Sequence, residues 1–341
     1  MPLIQLVSTG DVPKLRDRSG ALLPVLAENL EAQPLDTPVV ILIHGFRYDA
    51  AKPENDPAKS IFSPVPPADD PRSVSWPRHL GFCRGRKEEG LCIGLSWPAR
   101  TGIREAYQRA NEAGVSLARL VDLIRFADPR REVVVVAHSL GARVALCALP
   151  HIKAGRIHRM VFIYGAEIGR ETDHCLSTGN YPLPRIINVT SRENWIIDCT
   201  FAAAITRRPW TKTLSSCTAT RCAEWIDLPL HDPNALALLR AAGYPISQSL
   251  RPICHWSGYL RPGVFTVYRD FVRSPDKLPL DGLRRLADER RDSRRALRPR
   301  IANLIASILR VPRFGGIIAE KNCNERDPQE LRSASSGIGP L

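Results

Sequence analysis

No stretch of this 341-residue sequence reaches the roughly 18 uninterrupted apolar residues that cross a bilayer. The nearest, residues 195–205, carries Asp198 inside it. The opening residues, MPLIQLVSTGDVPKLRD, lack a basic head followed by an apolar run, so no secretory signal is expected. Cysteine occurs nine times, an odd number, scattered without a C-x-x-C pair. That excludes a disulfide-stapled mini-domain and a zinc ribbon, and predicts small buried hydrophobes in a reducing, cytoplasmic compartment. Cys217 and Cys222 have no His or Cys pair at matching spacing, so no metal and no organic cofactor is predicted. There is no internal repeat. Acidic residues are the ones in short supply: 48 Lys and Arg stand against 35 Asp and Glu, a net charge of +13. Such an excess attracts anions without naming a partner.

Apolar runs recur along the chain at intervals. Residues 38–44 (PVVILIH) form a continuous β-branched run, as in a strand buried on both faces of a parallel sheet. Residues 91–97, 132–137, 160–164 and 185–189 repeat it, and residues 104–126 carry Ala, Leu and Val at helical spacing. Strand alternating with helix predicts an α/β fold with a mainly parallel central sheet flanked by helices. Residues 48–77 contain seven prolines and predict a long loop. From residue 281 the composition changes, with ten arginines by Arg313 against four acids. The predicted organisation is a domain over residues 1–280, a basic amphipathic helical extension over 281–319, and a disordered tail over 320–341.

The most informative passage is EVVVVAHSLGARVAL, residues 132–146. A β-branched run stops at Ser139, small residues stand two places to either side, and a helix-forming run begins. This is a G-x-S-x-G nucleophile elbow with Ala137 in place of the first glycine. The tight strand-to-helix turn lifts a serine Oγ above the sheet edge and places it at a helix N-terminus, where developing negative charge is favoured.

With IHGF (residues 43–46), AHSLGARVAL and a late histidine, the chain resembles the α/β-hydrolase superfamily over about residues 1–275. MPLIQLVSTGDV, SWPRHLGF, NVTSREN and CHWSGYLRPGVF look, more narrowly, like a bacterial group of α/β hydrolases found in Rhodobacter relatives. The resemblance implies a Ser–acid–His order, an oxyanion hole from the backbone N–H groups of Phe46 and Leu140, and a cap within residues 167–223. It implies His255 as the base, since the superfamily carries its histidine after the last strand; His231, after a strand-like EWIDLPL, is the competitor, and His44 is expected to brace its loop. For the acid, the relatives read REND, and Trp195 stands here where their Asp would be. Asp198 is the preferred acid, Glu193 the alternative, and a crippled triad the third outcome. The function implied is a serine esterase acting on a small-molecule ester, or on an amide or lipid bond, through an acyl-enzyme. The alternative is a catalytically impaired binding protein on the same fold. The stripe Ile301, Leu304, Ile305, Ile308 flanked by arginines between Arg298 and Arg313 reads either as packing against the body or as peripheral contact with anionic membrane. No sequence-specific nucleic-acid motif is present.

Overall fold

The computed structural model describes residues 3–289 apart from Arg18, Lys87, Ala154, Tyr181, 215–223 and Leu250. The basic stripe around Arg298 to Arg313, the tail over 320–341, and both Cys217 and Cys222 lie outside the described residues.

Alternating hydrophobic and polar side chains form an antiparallel hairpin, β1 (Leu3–Thr9) and β2 (Val12–Leu15), followed by α1 (Leu22–Glu31). The five apolar residues of β3 (Val39–Ile43) are all buried. The proline-rich excursion that follows places Ile61 and Phe62 in the core and ends in α2 (Trp76–His79). Next come β4 (Leu91–Ser96), α3 (Ile103–Ala127), β5 (Val133–His138), α4 (Gly141–Ala148), β6 (Arg159–Ile163), α5 (Gly169–Thr178) and β7 (Arg185–Thr190). The chain continues through α6 (Trp195–Thr206), β8 (Trp225–Pro229), α7 (Pro233–Ala241), α8 (Ser257–Leu260) and α9 (Val264–Arg273).

The strands form one sheet in the order β2-β1-β4-β3-β5-β6-β7-β8, parallel throughout except for the edge pair β1–β2. Alternate residues of each strand feed opposite cores. Val39, Ile41 and Ile43 pack with α1, α3 and α4, while Val40 and Leu42 join Trp76, Tyr259, Val267 and Phe271 on the other face. Each fully buried Val or Ile contributes about 1.5–3 kcal/mol of burial energy. The β-branched runs that could be read as strands are therefore also what holds the two helical layers to the sheet. Among the described residues no helix is long and apolar enough to cross a membrane.

Three elements go beyond the sequence reading: β1, β2 and α1. β1 buries only alternate residues, Ile4, Leu6 and Ser8, so its period is that of a half-covered strand and not the continuous run of the interior ones.

Candidate active site

β5 ends at His138, and the chain turns within two residues, Ser139 and Leu140, into α4. Ser139 at that turn has φ +53°, a left-handed conformation that costs a non-glycine residue about 1–3 kcal/mol. The neighbours hold it there. Ser139 N–H donates to Ile163 O at 3.0 Å, and Ser139 O accepts from Ala142 N at 3.0 Å and Ala166 N at 2.9 Å. Two glycines permit the approach. A Cβ on Gly141 would come within 2.6 Å of His44 O, and one on Gly45 within 2.7 Å of Ser139 Cβ and 3.2 Å of its Oγ. The loop after β3 thus lies directly against the serine, with Phe46 as the next residue along.

His255 faces Ser139 from the loop before α8. Its Nε2 is 2.8 Å from Ser139 Oγ. It is this histidine, and not His231 after β8, whose ring meets the serine. The other ring nitrogen, Nδ1, is 2.6 Å from Oδ1 of Asn194. An amide oxygen only accepts, so Nδ1 carries the proton and Nε2 is the acceptor for the serine hydroxyl. Burial, and then the neighbouring His138, push the His255 pKa well below its ordinary 6.5. The imidazole is therefore neutral at neutral pH.

Neither carboxylate expected from the sequence lies against this imidazole. Asp198, on the first turn of α6, accepts a hydrogen bond from Asn194 Nδ2 at 2.9 Å and so stands one residue behind. Glu193 is turned away into a separate buried cluster. It pairs with Arg261 and accepts from Tyr164 OH at 3.1 Å, while Arg261 also donates to Leu230 O at 2.6 Å. The cause is local. The short helical turn Arg192–Asn194 sends consecutive side chains in different directions, and Arg261 takes the Glu193 carboxylate. Cys254 N–H donates to Glu193 O at 3.1 Å, tying the histidine loop to this turn. Asn194, fully buried, is the residue the sequence reading passed over. Its only signal there was its place just after β7, beside the two carboxylates that were considered.

The other two histidines of the motifs are braces. His44 is fully buried and stacks on Trp97, with ring centroids 5.7 Å apart and planes 3° from parallel. Its Nε2 accepts from Trp97 N–H at 3.0 Å, and its Nδ1 meets Gly45 O at 2.9 Å. Burial lowers its pKa to about 3. His138 Nε2 meets the backbone oxygen of His255 at 3.1 Å, and the two rings lie 4.7 Å apart. Burial brings the His138 pKa down to about 4. The residue before the nucleophile thereby holds the histidine loop in place.

One turn along α4, Arg143 pairs with the fully buried Glu167 at 2.5 Å, and Glu167 also accepts from Tyr107 OH at 2.6 Å. This cluster fixes the loop after β6, whose Ala166 N–H donates to Ser139 O. Among the described residues no group of three or more His, Cys, Asp or Glu is arranged to hold a metal ion. A hydroxyl on a strained turn, a neutral imidazole and a buried amide together provide for nucleophilic attack with proton transfer.

Residues 24–163 match the model of a family described as "Alpha/beta hydrolase of unknown function (DUF900)". The matched stretch runs from α1 to the end of β6. It contains Gly45 and Ser139 and ends before Asn194 and His255. No curated protein matches the chain.

Proposed function

We propose, from the premise that the chain belongs to the α/β-hydrolase superfamily, that it is a serine hydrolase cleaving ester-type bonds through Ser139, His255 and Asn194. The observation that carries this reading is the 2.8 Å contact between Ser139 Oγ and His255 Nε2, made by a serine held at positive φ.

In the forward step His255 Nε2 takes the hydroxyl proton while Oγ attacks the ester carbonyl. The negative charge passes to the carbonyl oxygen, which the backbone N–H groups of Leu140 and Phe46 hold. Removing one such donor costs about 2.7–4 kcal/mol of transition-state stabilisation. The imidazolium so formed donates from Nδ1 to Asn194 Oδ1, and Asn194 donates in turn to the Asp198 carboxylate. The amide thus relays the attraction of a buried negative charge to the imidazolium, polarising both hydrogen bonds. When the tetrahedral adduct collapses, Nε2 gives its proton to the leaving alcohol. Water then enters, loses a proton to Nε2 and attacks the acyl-serine carbonyl; as the adduct collapses the C–Oγ bond breaks, Nε2 returns that proton to Ser139 Oγ, and the acid is released.

A fluorophosphonate probe tests the reading. The wild-type chain is labelled at Ser139, Ser139→Ala is not, and only the wild type hydrolyses p-nitrophenyl esters. The alternative of an impaired, ligand-binding hydrolase fold draws on the uncharged Asn194 beside the imidazole. An unlabelled wild type would establish that alternative in place of the enzyme.

A further inference from the structure

Helix α6 is apolar on both sides: Phe201 and Ala202 pack inward, and large apolar side chains also face water. Among its twelve residues, WIIDCTFAAAIT, the only charged side chain is Asp198, and the buried positions are Asp198, Phe201 and Ala202. In an ordinary surface helix the apolar residues face the core and the polar ones face water. Here the inward stripe holds the acid, and Trp195 and Ile196 are 64% and 40% exposed. Two more large apolar side chains are exposed near the ends of this helix. Ile253, 48% exposed, lies beside the start of α6 because Cys254 N–H donates to Glu193 O. Trp210, 85% exposed, follows the helix.

The cations are placed at the ends of this patch. Arg192 precedes α6, Arg207 and Arg208 follow it, and all three are exposed. Arg104, also exposed, donates from Nε to Ala204 O at 2.7 Å near the C-terminal end. Between Trp195 and Arg208 the only acid is the buried Asp198. Aromatic side chains with a polar edge at each end, aliphatic residues between them and arginines at the rim match the layering of a bilayer surface with anionic headgroups. At twelve residues the helix is about 18 Å long, too short to cross a bilayer, so it lies in the interface.

We propose that α6 and its flanks form a docking surface for anionic phospholipid membrane. The helix starts at the residue after Asn194, whose amide touches His255. Docking therefore brings the Ser139 centre to the membrane surface, where glycerolipid esters lie. Only that last consequence, a lipid ester as substrate, rests on the serine-hydrolase reading.

The test uses the full chain carrying Ser139→Ala, floated with vesicles of phosphatidylcholine and phosphatidylglycerol and with vesicles of phosphatidylcholine alone. The chain should float with the anionic vesicles and release at high salt. Arg207→Glu with Arg208→Glu should weaken partitioning by roughly tenfold or more, and Trp195→Ser with Trp210→Ser should weaken it comparably. Brominated lipid should quench tryptophan emission, and Trp195→Phe with Trp210→Phe should remove that quenching while leaving the apolar surface in place. Trp195, Arg207, Arg208 and Trp210 are all exposed, and melting curves verify that each variant is folded. Three outcomes overturn the proposal: no flotation, flotation that survives both surface variants and so belongs to another part of the chain, or surface variants that only dissociate a dimer of the chain. Since the flotation protein has no nucleophile, its failure leaves the serine-hydrolase reading standing. Failure of the fluorophosphonate test likewise leaves the docking surface standing.

Discussion

The amide oxygen of Asn194 sits 2.6 Å from Nδ1 of His255, where a triad of the usual kind has a carboxylate. The carboxylate is still present, one hydrogen bond further out. Asn194 Nδ2 donates to Asp198 at 2.9 Å, and both side chains are buried. Asn194→Ala removes a hydrogen bond to a developing imidazolium, worth about 1.5–3 kcal/mol, and should lower kcat by roughly ten- to hundredfold. Asn194→Asp alone places two carboxylates in contact, a pair that cannot both ionise cheaply. Adding Asp198→Asn relieves the contact and leaves one carboxylate facing His255. The double variant should therefore recover activity that Asn194→Asp lacks. If it is no better than the single variant in steady-state ester hydrolysis, Asn194 and Asp198 do not act as a pair.

The pH profile carries a sign that separates this arrangement from an Asp triad. In the proposed mechanism His255 acts as a base in its neutral form, and burial holds its pKa well below 6.5. The acid limb of kcat/KM, which reports the free enzyme, should lie below pH 6.5, with a flat profile above it. A carboxylate beside Nδ1 favours the protonated ring, so Asn194→Asp/Asp198→Asn should move that limb to higher pH. A limb that stays put on this exchange would separate residue 194 from the titration of His255.

The parts of the site that could be read in the sequence are those in which chain order decides the geometry. A valine run into Ala137-His138-Ser139-Leu140-Gly141 can only be a strand entering a helix through a tight bend, because β5 is buried on both faces and Gly141 must pass under His44 O. The loop after β3 follows for the same reason. Asn194 was not legible, because the choice among Glu193, Asn194 and Asp198 is made by Arg261, nearly seventy residues on, which captures Glu193. A search for a negative charge also passes over an amide that borrows its polarity from the residue behind it. β1 and α1 were missed for a different reason. Gln5 and Ser8 interrupt a continuous apolar run, and pairing with β2 and β4 makes that segment a strand.

Gly45 is the position where the nucleophile is most sensitive to a single added methyl. A Cβ there would stand 2.7 Å from Ser139 Cβ and 3.0 Å from His138 O, and neither backbone segment can yield, since both are anchored in the sheet. Gly45→Ala should displace the serine or its loop, and a shift of about 1 Å in a reacting group costs on the order of a hundredfold in rate. The strain should also lower stability by about 1–3 kcal/mol. Fluorophosphonate labelling rates and thermal melts of the variant measure the two effects. Labelling at the wild-type rate would show that the β3 loop does not press on the nucleophile.

Acid should destabilise the fold before most carboxylates titrate. His44 and His138 are buried, and their pKa values fall to about 3 and about 4, against about 6.5 in the unfolded chain. Below pH 6.5 the unfolded chain binds protons at these two positions that the folded chain does not. Stability therefore rises with pH and is lost as pH falls from 6.5 toward 4. Each group accounts for about 1 kcal/mol between pH 7 and 5.5, so the two together remove roughly 2–3 kcal/mol. Glu167 acts in the opposite sense, because burial raises its pKa. Calorimetry should show Tm falling between pH 7 and 5.5, and His138→Gln should lessen the loss by about 1 kcal/mol over the same interval, since His44 and His255, also lowered by burial, keep their share. A Tm that holds or rises on acidification would mean that these two rings take up protons inside the folded protein, and that His138 does not bind the His255 backbone as a neutral donor.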